Sequence, residues 1–402
     1  MKRLFLASAL AAAFSANATN LEVSLFYSDG YVSDNNILVS SEVIGFYRSI
    51  NAANHLFSDN GVNLTLKPAK VQAVAEGTYA ANYNVWNLLI DMESGSLESL
   101  TDNAGHFQVG IARDTYNGNS GYGESMTEFK YIGLRGGGND YKKVAVTANV
   151  LNRYDASGYK YFMAHELLHT LGGSHNASDA ALFEYNSSGN NYGYGDTCDD
   201  ASASLMDVSF ASNSSSVTQK LTGATGCNSG SGDMVRLVNT FVSEVPSHAT
   251  SLNMNTLALV VSENTTTSEF EFTVTRSVDT TSPITAYIHI SGTGATLGNE
   301  LQPVGVSFLA NETSKTVTVP FSSIHPMFND ADPYDDKVYA VAVSEKEVVA
   351  DLVDLTAINT VWTGDSNSGS ASSTGGEGGG GGSIGIFAFI ALAFLGLIRR
   401  GK

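Results

Sequence analysis

The chain has 402 residues, too many for one ordinary domain, with 21 Lys and Arg against 40 Asp and Glu and a formal net charge of −19. So acidic a balance argues against nucleic acid and anionic membrane surfaces as partners. Only 15% of residues are charged and 40 are glycine, a composition that suits an exported protein rich in strands and loops. Two cysteines, Cys198 and Cys227, read in such a protein as one disulfide rather than as metal thiolates, because neither lies in a CxxC pair.

Residues 1–18 are predicted to be a signal peptide: Lys2 and Arg3 open it, Leu4 to Phe14 is apolar, and Ala16-Asn17-Ala18 is a cleavage site. The apolar run is too short to span a bilayer. Cleavage would leave Thr19 as the mature start, with a strand following at once and no room for a long propeptide with a cysteine switch. Leu21 to Tyr27 alternates as that strand. Ser40 or Ser41 can cap a helix to about Phe57, in which Val43, Ile44, Tyr47 and Ile50 fall near helical spacing and Gly61 lies past the end. A strand over 62–71, a helix over 83–92 and a buried strand over 107–112 follow. Lys143 to Val150 alternates and directly precedes the next helix.

That helix, predicted to start near 155–158, carries His165-Glu166-Leu167-Leu168-His169-Thr170-Leu171-Gly172-Gly173-Ser174-His175. His165 and His169 project from one helical face, one turn apart, so their imidazoles can reach one metal ion. Glu166 lies beside them, placed to take a proton from a metal-activated water. Gly172 can end the helix in a left-handed conformation, and the chain can double back to present His175 as a third ligand. Three protein ligands leave a fourth position for water, the arrangement of a catalytic zinc. Chance would produce this pattern roughly once in a hundred thousand chains of such composition.

HELLHTLGGSH resembles the HExxHxxGxxH signature of the metzincin metallopeptidases. The resemblance implies an α+β catalytic domain over residues 19–248, with a twisted mixed sheet and a long active-site helix. It also implies a methionine in a tight turn beneath the metal. Ser204-Leu205-Met206-Asp207 is the candidate for that turn, and Met234 the rival. Astacins and serralysins carry tyrosine two residues past the methionine, where this chain has Val208; Leu21 to Tyr27 is instead similar to the first strand of reprolysin-like members. Within the resemblance, Lys143 to Val150 would be the edge strand that pairs with an extended peptide substrate. The disulfide would enclose the Met206 segment, and closing a loop of about 30 residues is worth roughly 3–4 kcal/mol. The polar stretch between His175 and Met206 reads as a surface loop, with a calcium ion as the alternative. Its Tyr185, Tyr192 and Tyr194 are candidates for substrate binding or oxyanion stabilisation. Asp233 to Val245 is a second helix, with Met234, Leu237, Val238, Phe241, Val242 and Val245 on one face and Pro246 ending it.

From 249 to 362 short β-rich runs alternate with turns, which predicts an all-β sandwich of Greek-key type. Val261-Ser262-Glu263, Gly294 to Gly298 and Val306-Ser307-Phe308 resemble Calx-β modules, and Asp330, Asp332, Asp335 and Asp336 sit where such modules bind calcium. The usual Glu-x-Phe ending is replaced by Asp336-Lys337-Val338-Tyr339. His55, His106, His248, His289 and His325 have no ligand spacing and read as structural or exposed. Residues 363–382 form a Gly/Ser linker. Residues 383–402 comprise an apolar run ending in Arg399 and Arg400, predicted as a C-terminal transmembrane helix, and resemble a GlyGly-CTERM sorting tail. That resemblance implies a Gram-negative source, transient inner-membrane anchoring and removal of the tail by a rhombosortase-like protease; a permanent anchor is the alternative.

These readings converge on a secreted, monomeric zinc endopeptidase of protein or peptide substrates. His165, His169 and His175 would hold one Zn²⁺, Glu166 would act as general base, and Met206 would support the site. Calcium is the further candidate ion. A peptidoglycan amidase using the same metal is one rival. A surface adhesin with a vestigial metal site is another, and the five intact motif positions argue against it.

Overall fold

The computed structural model describes residues 18–28, 38–74, 85–101, 104–112, 123–125, 143–147, 161–180, 192–207, 219–228, 231–243, 245–248, 251–252, 255–277, 280–292, 301–328 and 337–358. The signal peptide through residue 17, the linker and sorting tail at 363–402, the Calx-β-like acids Asp330, Asp332, Asp335 and Asp336, Gly294 to Gly298, Tyr185 and Val208 lie outside these residues.

The first half runs β1 (Thr19–Ser28), α1 (Leu38–Asp59), β2 (Leu64–Val74), α2 (Val85–Ser94), β3 (Phe107–Ala112), β4 (Gly123–Ser125), β5 (Lys143–Thr147), α3 (Phe162–Thr170) and α4 (Met234–Phe241). Its five strands form one sheet in the order β2-β1-β3-β5-β4. β1 pairs in parallel with β2 and β3, β3 in parallel with β5, and β4 alone runs antiparallel, on β5. β1 is buried on both faces, as parallel strands usually are. Leu21, Val23 and Leu25 enter the large core, while Phe26 joins a smaller one with Val74, Leu88, Leu89 and Met92. The alternation at Leu21 to Tyr27 predicted this strand.

Two expectations need correction here. The strand at Lys143 is interior, not the sheet edge, because β4 adds to its free side. The α4 helix stops at Phe241, and Val245–His248 form a separate 3-10 turn. A proline at 246 has no N–H to give to a helix, and its ring would clash with the carbonyl four residues back. Asp233 caps the start of α4, its carboxylate accepting from Arg236 N at 2.9 Å.

The second half contains β6 (Asn255–Asn264), β7 (Glu269–Arg276), β8 (Ile284–Gly292), β9 (Val304–Phe308), β10 (Ser314–Pro320), α5 (Phe321–Phe328), β11 (Val338–Val343), β12 (Glu347–Val349) and β13 (Val353–Asp354). The predicted strands are present, but not as two separate sheets. They form one hydrogen-bonded sheet in the order β10-β7-β6-β12-β11-β8-β9, with β13 also on β11. The buried β12 joins the two flanking sets of three strands, running parallel to β6 and antiparallel to β11. Phe270, Phe272, Val274, Ile288, Ile290 and Phe308 fill the space the sheet encloses.

The apolar core is continuous between the halves, and both sheets lie in one compact unit. Helix α1 is the shared element. Its residues from Glu42 to Ile50 are buried, which a helix packed on one face only does not show. Tyr47 donates its hydroxyl hydrogen bond to the Val349 carbonyl at 2.9 Å, Ser40 Oγ lies 3.3 Å from His289 Nδ1, and the Arg48 guanidinium stands 5.8 Å from the centre of the Tyr339 ring. No helix among the described residues is long and apolar enough to cross a membrane.

Candidate metal centre

Every residue of α3 is buried. The helix ends in a Schellman motif: Gly172 has φ of 102°, its N–H reaches His169 O at 3.0 Å, and Gly173 N–H reaches Leu168 O at 2.9 Å. A left-handed residue here favours glycine, as the sequence indicated. The chain then reverses. Ser174 bridges in parallel to Tyr194, with Ser174 N on Gly193 O at 3.0 Å and Gly195 N on Ser174 O at 2.9 Å. The bridge fixes the segment that presents His175.

The three imidazoles converge. His165 Nε2 lies 3.1 Å from His169 Nε2 and 3.2 Å from His175 Nε2, and the last two are 3.0 Å apart. Three nitrogens on a tetrahedral zinc with bonds of about 2.0–2.1 Å stand about 3.3–3.4 Å from one another, so this triangle is within a few tenths of an ångström of that geometry. These are the only residues among those described that form a cluster able to hold a metal ion.

The outward nitrogens leave the inward ones available as ligands. His165 Nδ1 is 2.8 Å from the Leu205 carbonyl and His169 Nδ1 is 2.8 Å from the Gly173 carbonyl. A carbonyl can only accept, so each Nδ1 carries the proton and each Nε2 presents a lone pair. Two lone pairs 3.1 Å apart cannot hydrogen-bond to each other. They repel unless a cation stands between them. Burial, followed by the neighbouring His169 and His175, pushes His165 well below the usual histidine range, against the opposing effect of Leu205 O. Burial and then His175 bring His169 down to about 3, against Gly173 O. Both are therefore neutral, the ligating form, at neutral pH.

His165 and His169 are each 4% exposed and Glu166 5%, whereas His175 is only half-buried. The donor set therefore opens towards solvent on the side of His175.

Beneath it, Ser204-Leu205-Met206-Asp207 is a tight turn closed by Asp207 N on Ser204 O at 3.0 Å. Both flanks hold it. Ser204 N donates to Asp196 O at 3.0 Å, and Leu205 N donates to Lys220 O at 2.9 Å. The disulfide Cys198–Cys227 joins those flanks. Met206 is buried, and so is Met234; a Cβ on Gly173 would lie 3.0 Å from the first Cε and 2.8 Å from the second. Both methionine methyls thus pack under the same glycine, and only Met206 belongs to the turn.

Of the candidate tyrosines, Tyr194 commits its hydroxyl to Ser231 Oγ at 2.5 Å, and Tyr192 lies under the Arg236 guanidinium at 4.2 Å from its ring centre. The carboxylates of Asp196, Asp199 and Asp200 in the polar loop accept from the backbone N–H groups of Thr197, Asn228 and Ser202. His106 and His289 are buried away from the cluster and His55 is exposed, which fits their reading as structural or surface residues. The sequence reading missed the carbonyls of Leu205 and Gly173. Backbone acceptors carry no residue signature.

No family model and no curated protein matches the chain. Among solved structures, one described as a chaperone–substrate complex aligns at 14% identity and a TM-score of 0.41, covering 58% of this chain and 36% of that one. The crystal structure of metalloproteinase-II from Bacteroides fragilis aligns at 15% identity and a TM-score of 0.31, covering 55% of this chain and 54% of that one. The chain thus spans about a third to a half of the length of these proteins.

Proposed function

We propose that this chain is a metzincin-like zinc endopeptidase with His165, His169 and His175 as the ligands and Glu166 as the general base. The observation that carries the proposal is the triangle of Nε2 atoms with the Nδ1 groups of His165 and His169 turned outward onto carbonyls. A zinc ion held by these three imidazoles would supply Lewis acidity towards a carbonyl and would make a water easier to deprotonate. Glu166, one residue from His165 on the buried helix, takes the proton of the attacking water and returns it to the leaving amine. The β4 edge, Gly123–Ser125, takes over from β5 as the strand that aligns an extended peptide by main-chain hydrogen bonds. Export through residues 1–18 and sorting through residues 383–402 belong to the same proposal, and the intact mass of the released protein tests both.

The direct test is Glu166→Gln. Peptide cleavage is expected to fall by at least about 10²–10⁴-fold, while one zinc per chain and the folded state are retained. Undiminished cleavage by that variant refutes the mechanism. Absence of bound zinc in the parent protein refutes the site itself.

A further inference from the structure

Three asparagine side chains act alike, each pairing with backbone as a neighbouring strand would. Asn54 donates to Leu66 O at 2.9 Å and accepts from Leu66 N at 2.7 Å. Asn239 donates to Gly61 O at 2.9 Å and accepts from Asn63 N at 2.7 Å. Asn60 donates to Gln219 O at 3.1 Å and to Leu56 O at 2.7 Å, and accepts from Leu221 N at 2.8 Å.

The Asn60 clamp differs in what it holds. Gln219 and Leu221 bracket Lys220, whose carbonyl accepts from Leu205 N at 2.9 Å. The carbonyl of Leu205 in turn lies 2.8 Å from His165 Nδ1. Asn60, at the end of α1 and 5% exposed, therefore stands at the far end of a hydrogen-bonded path that leads through 219–221 and the Met206 turn to the metal-facing imidazole. Neither of the other two clamps touches the 219–221 segment.

We propose that Asn60 is a positioning residue of the metal centre: its side-chain amide fixes the 219–221 backbone, which sets the Leu205 carbonyl that orients His165. This inference rests on the zinc-site reading above. Removing the amide frees the 219–221 backbone to shift, and with it the turn whose Leu205 carbonyl holds His165 Nδ1. Partners that hydrogen-bond a ligating histidine directly are typically worth 10–100-fold in metal affinity, which bounds from above what Asn60 contributes through the Leu205 carbonyl.

The experiment uses the full chain and four variants: Asn60→Ala, Asn60→Asp, Asn239→Ala and Asn54→Ala. Zinc affinity is measured by chelator competition well below the melting temperature, Co²⁺ substitution is followed by its visible absorption bands, and metal-free melting temperatures are recorded alongside. Asn60→Ala is expected to weaken zinc binding by about tenfold, the low end of the range for direct partners, and to shift the Co²⁺ bands. Asn60→Asp is also expected to weaken zinc binding and shift the bands, because it keeps the acceptor for Leu221 N but turns a carboxylate oxygen onto the carbonyls of Gln219 and Leu56. Asn239→Ala and Asn54→Ala are expected to lose comparable melting temperature yet keep the parental affinity and spectrum. Should Asn60→Ala fail to fold, the Asp variant decides by the same readouts. The proposal is overturned if the Asn60 variants bind zinc as the parent does, or if all clamp variants weaken binding equally. A parent protein that takes up neither metal sinks the zinc-site reading instead.

Discussion

His165 Nδ1 and the carbonyl oxygen of Leu205, 40 residues apart in the chain, lie 2.8 Å from each other. The turn beneath the three-histidine cluster thus acts on His165, the first candidate ligand, through its backbone. The methionine side chain that marks the turn has a different task, which is to fill space under Gly173.

This division predicts how Met206 responds to substitution. Met206→Leu conserves volume and is expected to lower stability by less than about 1.5 kcal/mol with zinc affinity nearly unchanged. Met206→Ala leaves a cavity in the buried floor and is expected to cost about 2–5 kcal/mol. Chemical denaturation and zinc competition on both variants check this. A large affinity loss in the Leu variant with stability intact would assign the sulfur a direct role.

Acid is expected to destabilise the metal-free protein. Burial brings His289 down to about 4 and His169 to about 3, and His165 well below its usual range. Unfolded histidines titrate near 6.5, so between that value and the folded ones the unfolded state binds more protons. The stability that these neutral imidazoles contribute is full above about pH 6.5 and is lost as pH falls towards 4 and then 3. Melting temperatures of chelator-treated protein should be flat near neutrality and decline below about pH 6.5. Replacing His289 with Asn should reduce that slope. A flat acid limb would contradict the buried, neutral assignment.

The continuous core makes a prediction about truncation. Residues 19–248 alone would uncover the side of α1 that meets the second sheet, where Tyr47, Ser40 and Arg48 contact Val349, His289 and Tyr339. Each large apolar side chain returned to water forfeits about 1.5–3 kcal/mol, against a typical total stability of about 5–15 kcal/mol. The fragment is expected to elute as aggregate and to lack a near-ultraviolet dichroism signal, while a chain extending through residue 362 remains monomeric. A well-folded, zinc-binding fragment would show the second sheet to be dispensable.

The motif from His165 to His175 was legible because its geometry is local. Helical periodicity sets His165 beside His169, and the left-handed preference of glycine turns the chain at Gly172. The pairing of Cys198 with Cys227 followed from there being only two cysteines. Strand and helix positions were also readable to within a few residues wherever apolar spacing was regular, as in β1, α1 and β7.

What the residues could not announce is everything made by contacts between distant backbones. Among the described residues the outer position fell to β4 rather than β5, because three residues at Gly123–Ser125 pair with the outer side of β5. The two β halves share one sheet through β12, a strand too short to carry a pattern of its own. The acceptors that orient His165 and His169 are carbonyls, which every residue possesses. The amino-acid sequence by itself determined which side chains can hold a metal ion, since those choices depend on residue type and on spacings within one helix and its turn. Only the tertiary structure decided which way each ring faces, because main-chain hydrogen bonds between remote segments leave no residue signature and form only when the chain is packed.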